Sequence, residues 1–422
     1  MRKHLLATTA LVTAALLAGG AHADNTENGL TVTVGGYIDF RAAQFSQDNG
    51  NLNTASGRHF DFEQEYALNF DVMGKTGHGI EYGGRISLSN DEQAPAGGGS
   101  NTFVDQAYVF LGGNYGKAIA GDHYGASDLF VSAPTIGLGQ ANGEYTDAVD
   151  QSIFSVITPL YSADDEENTK VTYMTPQLGN EQHKLQAAGS FMPNWNDKGQ
   201  NMIKYRGAAA AGQTTSTNFS DNADNAPYKN VFEGTVRYTG SFDAVNVAAA
   251  AIVQTGEAEN ANRWTGASVS GAALEDFTAY GFGGQVAYAG FTVGGSWLDA
   301  GEMNTIAGQN NDQTVGTLGV SYGWDRFGLA FSWLTAEGYN NGFDNTIAQG
   351  VTANTVGGLT NVNYIDDLNV YGVGGTYNWF PGMSTNLDVV WFSQERADRR
   401  VAGRNISDVE GHVVMLGQKL EF

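Results

Sequence analysis

From Val32 onward the chain alternates apolar and polar residues with a period of two. Val32, Val34, Gly36, Ile38 and Phe40 fall on one side of the first run, and Thr33, Tyr37, Asp39 and Arg41 fall on the other. A second run repeats the pattern more cleanly: Phe60, Phe62, Tyr66, Leu68, Phe70 and Val72 alternate with Asp61, Glu63, Glu65, Asn69 and Asp71. Successive side chains of a strand point to opposite faces, so each run predicts a strand with one apolar face and one wet face. A soluble β-sandwich alternates in the same way, but in short strands that recur every ~8 to 12 residues. The runs here are longer than that spacing allows.

The connections separate the two architectures. Lys75-Thr76-Gly77-His78-Gly79, Gly112-Gly113-Asn114, Thr239-Gly240-Ser241, Ala289-Gly290, Gly323-Trp324-Asp325-Arg326 and Phe380-Pro381-Gly382 are short turns rich in Gly, Pro, Asn and Asp. They alternate with long polar segments, Met192 to Lys229, Glu257 to Asp276 and Glu337 to Asp366. Short turns on one rim and long loops on the other describe a transmembrane antiparallel β-barrel. Strands are expected near 31–45, 58–74, 80–89, 102–111, 117–122, 169–175, 185–191, 230–239, 244–255, 277–288, 291–299, 314–322, 327–336, 367–377, 384–395 and 409–422. These are sixteen, an even number, which puts both termini of the barrel's chain on the short-turn rim. A barrel of about 16 strands encloses an aqueous channel, whereas about 8 strands fill their interior with side chains.

Composition narrows the class further. Of 422 residues 57 are Gly and none is Cys, and 45 acidic side chains outnumber 21 basic ones. No disulfide scaffold or Cys-based metal site is available. The formal charge of -24 argues against nucleic acid as a partner, because phosphate binding needs a basic surface. Hydrophobic residues at 41% and aromatics at 11% argue against disorder. Arg2, Lys3 and His4, the apolar run from Leu5 to Leu17 and the small-x-small site Ala21-His22-Ala23 read as a secretory signal peptide over 1–23. The remaining 24–422 is expected to be one barrel domain. It holds no apolar stretch of the ~18 to 20 residues that a membrane helix needs, so a membrane location requires a barrel.

Aromatic residues repeat on the later hairpins. Tyr288, Phe291 and Trp297 are echoed by Tyr322, Phe327 and Trp333, and again by Tyr377, Trp379 and Trp391. In each set two aromatics lie at a turn and a Trp follows further up the rising strand. This is the pattern of aromatic girdles at the two edges of an apolar band about 25 Å tall.

Several segments resemble the trimeric general porins of Gram-negative outer membranes. Val34-Gly35-Gly36-Tyr37-Ile38-Asp39-Phe40 resembles the first strand of that family, and Asp105-Gln106-Ala107-Tyr108-Val109 with Gly116 and Gly121 resembles its fourth and fifth. Tyr173-Met174-Thr175-Pro176 is similar to a strand-ending Tyr-x-Ser/Thr-Pro, and Tyr377 with Pro381-Gly382 to the last periplasmic turn. Gly417, Leu420 and Phe422 resemble the C-terminal assembly signal of outer-membrane barrels. The resemblance implies a homotrimer in the outer membrane, in contact with lipid and lipopolysaccharide and inserted by the assembly machinery through its last strand. It also implies that the third external loop, here about 123–168, folds inward and narrows the pore. That loop carries Asp128, Glu144, Asp147, Asp150, Asp164, Asp165, Glu166 and Glu167 and no Lys or Arg. It lacks the Pro-Glu-Phe-Gly-Gly tip common in the family, and a solvated acidic loop on the outer rim is the alternative placement.

In the family, basic wall residues face the acidic loop. Inward parity offers Arg41 and Arg85 for that role, with Asp39 and Glu65 beside them; the same set also suits a lumen salt-bridge network that holds strands one to three in register. His59, Asp61, Glu63 and Glu65 share one face of the second strand, a ladder suited to a hard cation such as Ca²⁺ or to water and Arg41. No other cofactor is implied. Gly319-Val320-Ser321-Tyr322-Gly323 matches a hydrolase nucleophile elbow, but that motif needs a helix next and a strand is expected instead. The expected function is passive diffusion of ions and small hydrophilic solutes through a cation-preferring pore, without catalysis. A substrate-selective pore and an exported β protein for adhesion or binding are the alternatives.

Overall fold

The computed structural model describes residues 23–25, 29–48, 59–90, 103–149, 154, 157–159, 168–195, 228–258, 274–303, 305, 313–338, 355–356, 359–360, 365–396, 400–401, 404–405 and 408–422. Sixteen long strands follow one another: β1 Leu30–Gln47, β2 Phe60–Lys75, β3 Glu81–Ser89, β4 Phe103–Gly113, β5 Gly116–Asp122, β6 Thr169–Met174, β7 His183–Asn194 and β8 Tyr228–Phe242. The second half comprises β9 Val245–Ala258, β10 Phe277–Tyr288, β11 Phe291–Gly301, β12 Gln313–Trp324, β13 Phe327–Glu337, β14 Ile365–Phe380, β15 Met383–Arg396 and β16 Asp408–Glu421. Each pairs antiparallel with the next. β16 pairs with β1, from Tyr37 opposite Glu421 to Gln47 opposite Gly411, so the sheet closes on itself and has no free edge. The same sheet takes in two short strands, Ala23–Asn25 against β1 and Leu178–Gly179 against β7. Apart from Ala23, the segment expected to be a signal peptide lies outside the described residues.

All sixteen strands fall where the alternation places them, with ends that differ by a few residues. The short turns gather on one rim and use backbone that suits tight hairpins. Ala289 and Gly290 both take positive φ, 50° and 87°, as a two-residue turn matched to strand twist requires. Asp243 and Asp325 sit at positive φ in two neighbouring turns.

Burial is inverted relative to a soluble protein. Ile38, Phe40, Phe62, Val109, Phe282 and Leu329 are exposed on the outside, whereas Asp39, Arg41, Glu65, Lys170, Glu233 and Asp388 are buried inside. An apolar outer wall around a polar interior is what a barrel in lipid requires. Among the described residues no helix is long and apolar enough to cross a membrane. Aromatics rim the short-turn edge in an unbroken row. Phe291 stacks on Tyr322 (4.2 Å between centroids), followed by Trp324, Phe327, Tyr377 and Trp379 at 4.7 to 5.5 Å from ring to ring. Further along the strands, Trp297 packs with Tyr280 and Phe282, and Trp333 stacks on Tyr371, whose register partner is Trp391.

Candidate functional site

Residues 123–149, the described first part of the connection between β5 and β6, lie inside the barrel, not on its outer rim. Their three short 3-10 turns mark out the route. Ala126–Leu129 packs against β6, β7 and β8; Gln140–Asn142 against β13, β14 and β15; and Glu144–Ala148 against β1 and β16. The segment therefore runs around the inner wall from β6 to β1. Wall side chains satisfy its backbone on the way: Ala126 N donates to Ser190 Oγ (2.7 Å), Ala133 N to Thr317 Oγ1 (3.2 Å) and Ala141 N to Ser332 Oγ (2.9 Å). Gln285 Nε2 donates to the carbonyl of Ser132 (2.8 Å). A buried loop is tolerable only when its polar backbone is paired in this way.

Apolar packing supplies the rest of the attachment. Phe130, Val131, Leu138, Tyr145 and Phe154 of the loop form one buried cluster with the inward residues Ile252, Leu298, Leu334, Val390, Phe392 and Met415. Phe154 and Phe392 lie 4.7 Å apart, centroid to centroid, with Tyr145 stacked against Phe392 at 6.3 Å. Wall residues must also be absent where the loop runs closest. A Cβ on Gly283 would stand 1.8 Å from the Val131 carbonyl oxygen, and one on Gly374 2.2 Å from both Asp388 Oδ1 and Gln140 Nε2.

One cation gathers the acids. Arg41, 2% exposed, faces inward from β1 and has five carboxylates within 4.0 Å. Asp39 Oδ2 is 3.0 Å from its Nε; Glu63 (3.5 Å) and Glu65 belong to β2; Glu144 (2.9 Å) and Asp147 (3.5 Å) belong to the loop. Asp39 and Glu65 stand directly opposite each other in the β1–β2 ladder, as do Arg41 and Glu63. Two carboxylates so placed repel, and the guanidinium between them offsets the repulsion. Tyr37 donates to Glu65 Oε1 (2.5 Å), and Lys419 of β16 lies over the Tyr37 ring.

The other expected residues fall elsewhere. Arg85 forms a two-pronged pair with Asp71 on β2 (2.7 and 3.1 Å), its register partner, and not with the loop. Its role is thus the strand-to-strand bridge, whereas Arg41 serves both the strands and the loop. Asp128 is exposed in the first 3-10 turn, on the far side of the lumen from Arg41. Asp150, Asp164, Asp165, Glu166 and Glu167 lie outside the described residues. Asp61 is exposed at the start of β2, while Glu63 and Glu65 turn to Arg41. Among the described residues no three His, Asp or Glu side chains come together as metal ligands. Gly319 to Gly323 form the end of β12, which turns directly into β13, so Ser321 has no elbow geometry.

Two groups escaped the sequence reading: the Gln140–Asp388 pair, and the apolar inner wall that receives the loop. A signal for the second existed. Val413-Val414-Met415-Leu416 and Val389-Val390-Trp391-Phe392 are apolar on both faces, which marks strands covered on both sides.

Comparison with known proteins agrees with this architecture. Residues 7–397 match the family model of Gram-negative porins, and the chain belongs to that family. No curated protein matches it in sequence. Among solved structures it is similar to the outer membrane channel DcaP of Acinetobacter baumannii, at 12% identity over 95% of this chain and 100% of that one, with a TM-score of 0.56. It is also similar to OmpT, an outer membrane protein of Vibrio cholerae (10% identity, 96% and 100% covered, TM-score 0.55), and to an anion-selective porin from Comamonas acidovorans (13%, 93% and 100%, 0.55). At such identities the likeness is one of fold. The chain is an outer-membrane channel protein of the porin family.

Proposed function

We propose that the protein is a water-filled pore for passive diffusion of ions and small hydrophilic solutes, that it prefers cations, and that it carries out no catalysis. The observation that supports the sign is the Arg41 cluster, five carboxylates around one guanidinium, two of them on the loop that lies in the lumen. A charge is felt over about a Debye length, ~8 Å at physiological ionic strength, so the acids beside the loop outweigh the total charge of the chain. Low-dielectric walls strengthen that local field, which concentrates cations and depletes anions. Fold alone does not decide the sign, since one structural neighbour is an anion-selective porin.

The deciding measurement is the reversal potential in asymmetric KCl across planar bilayers. The wild-type pore is expected to prefer K⁺, less so as salt rises, and the double change Glu144→Gln with Asp147→Asn to move the reversal potential towards zero. A wild-type preference for chloride would overturn the reading. We further propose a homotrimer, with the outer face of β1 (Val32, Val34, Ile38 and Phe40) packed on a neighbour. Crosslinking that yields monomers alone would count against that assembly.

A further inference from the structure

Below the loop, towards the short-turn rim, the inner wall of β7 to β11 carries a recess of about 370 Å³. Small side chains, Ala248 and Ala287, make its floor, and Thr239, Asn246 and Gln285 offer hydrogen-bonding groups. Gln285 also donates to the Ser132 carbonyl, so the recess lies directly against the loop, on the path of any solute that has passed it. Its volume is within the range of small-molecule sites, roughly 300 to 1,000 Å³.

Charges of both signs line this recess, and a further cation, Arg237, stands beside its lining. Lys184 of β7 and Glu181 of the preceding connection line it. Lys184 is the register partner of Thr239, and Arg237 lies two residues before Thr239 on the same inward face of β8. Lys184 and Arg237 are therefore diagonal neighbours, about 7 to 8 Å apart in such a ladder. Among the described residues none of Lys184, Arg237 and Glu181 makes an ion pair, and Nε of Arg237 is shielded from solvent without a hydrogen-bond partner. The field of Asp128 reaches Arg237 from the loop, but no ion pair joins them. Two cations so close repel each other, and a carboxylate between them would convert that repulsion into attraction.

We propose that this recess is a binding subsite for small zwitterionic solutes, free amino acids or short peptides. The solute carboxylate sits between Lys184 and Arg237, its ammonium group faces Glu181, and amide groups meet Asn246 and Gln285. Glu181 disfavours a purely anionic ligand such as phosphate, and a neutral sugar would leave all three charges unused. The proposal rests on the channel reading above and adds a solute class to it.

Current through single pores of the purified protein tests it, with glycylglycine as probe and K⁺ as carrier. Glycylglycine is expected to interrupt the K⁺ current with a frequency that saturates as its concentration rises. The double variant Lys184→Gln, Arg237→Gln should raise the half-saturating concentration about tenfold or more, since it removes two charge-assisted contacts. Glu181→Gln should weaken glycylglycine but not N-acetylglycylglycine, which lacks the ammonium group. Lys75→Gln, which removes a cation from the same rim outside the recess, should leave the interruptions as they were. Heat-modifiable gel mobility verifies that each variant is a folded barrel. A pore that passes K⁺ without interruption by glycylglycine, or with equal interruption in wild type and double variant, overturns the subsite and leaves the channel standing. A protein that carries no K⁺ current overturns both.

Discussion

Asp388 holds Gln140 with both of its carboxylate oxygens. The Gln140 backbone N–H donates to Oδ2 (2.7 Å), and its side-chain Nε2 lies 2.9 and 3.0 Å from Oδ1 and Oδ2. The same amide closes the loop on itself, since its Oε1 accepts from Ile136 N (2.9 Å) and its Nε2 reaches the Ile136 carbonyl (2.6 Å). One buried residue thus shapes the loop and ties it to β15. The tie is rigid because neither partner has freedom left: Gln140 is fully buried and Asp388 is 3% exposed.

Removal of the tie should release the loop at this point. Asp388→Ala is expected to widen the distribution of single-channel conductance and raise its mean, because the loop backbone at Gln140 would lose its partners and seek water. A buried polar group left without its hydrogen-bond partner costs about 1 to 3 kcal/mol, so the melting temperature should fall as well. Asp388→Asn keeps the shape and one acceptor, and should give an intermediate result. A conductance distribution indistinguishable from wild type in Asp388→Ala would show that the apolar cluster around Phe392 alone positions the loop.

Arg41 is expected to be the least replaceable side chain in the lumen. Its loss takes the guanidinium away from the buried carboxylates of Asp39, Glu65 and Glu144, and removal of one partner from a buried pair costs about 3 to 5 kcal/mol. Arg41→Gln should therefore lower the folded fraction, read as heat-modifiable mobility. Arg41→Lys should restore only part of it, because a single ammonium cannot span five carboxylates on three segments. Full recovery of the folded fraction in Arg41→Gln would mean that the acids are kept apart by other means.

The barrel was legible in the sequence and the loop's path was not, for a physical reason. Strand alternation is a local property, written in Val32 to Phe40 and Phe60 to Val72 as it stands, and the lipid makes it obligatory. Arg41 could be placed on the inward face by parity. So could its strand partners Asp39, Glu63 and Glu65, but Glu144 and Asp147 could not, since they are more than a hundred positions away and come to it through turns with no periodic signal. Arg85 and Arg41 share parity and charge, yet one meets only Asp71 and its strand neighbours while the other meets the loop. What separates them is the loop's course around the wall, and that course is set by Gln140, Phe392 and absent side chains at places such as Gly374.

Gly374 gives this dependence a sharp test. A methyl group there would stand 2.2 Å from Asp388 Oδ1 and from Gln140 Nε2, closer than any real contact, so even alanine must displace the pair. Gly374→Ala is expected to reproduce the altered conductance of Asp388→Ala. In the double variant the two effects should not add, because both act on one contact. Additive changes would mean that Gly374 matters for strand packing instead of for the seat of the loop.

Barrel closure is expected to depend on Phe422. Phe422 and Gly36 exchange two main-chain hydrogen bonds, each 3.0 Å, beyond the end of the β16–β1 ladder. The Phe422 ring is exposed on the surface, near the apolar side chain of Leu420. Main chain and side chain therefore make separate contributions, which three variants can divide. Deletion of Phe422 removes both hydrogen bonds, at about 1 kcal/mol each, together with the ring. Phe422→Ser keeps the hydrogen bonds and loses the ring, and Phe422→Tyr keeps an aromatic ring suited to a membrane interface. The expected order of folded, heat-modifiable protein in outer membranes is wild type, then Phe422→Tyr, then Phe422→Ser, then the deletion. If the serine variant and the deletion fall equally low, the ring alone governs assembly. If the deletion assembles as well as wild type, then the pairing of Phe422 with Gly36 contributes nothing to closure of the barrel.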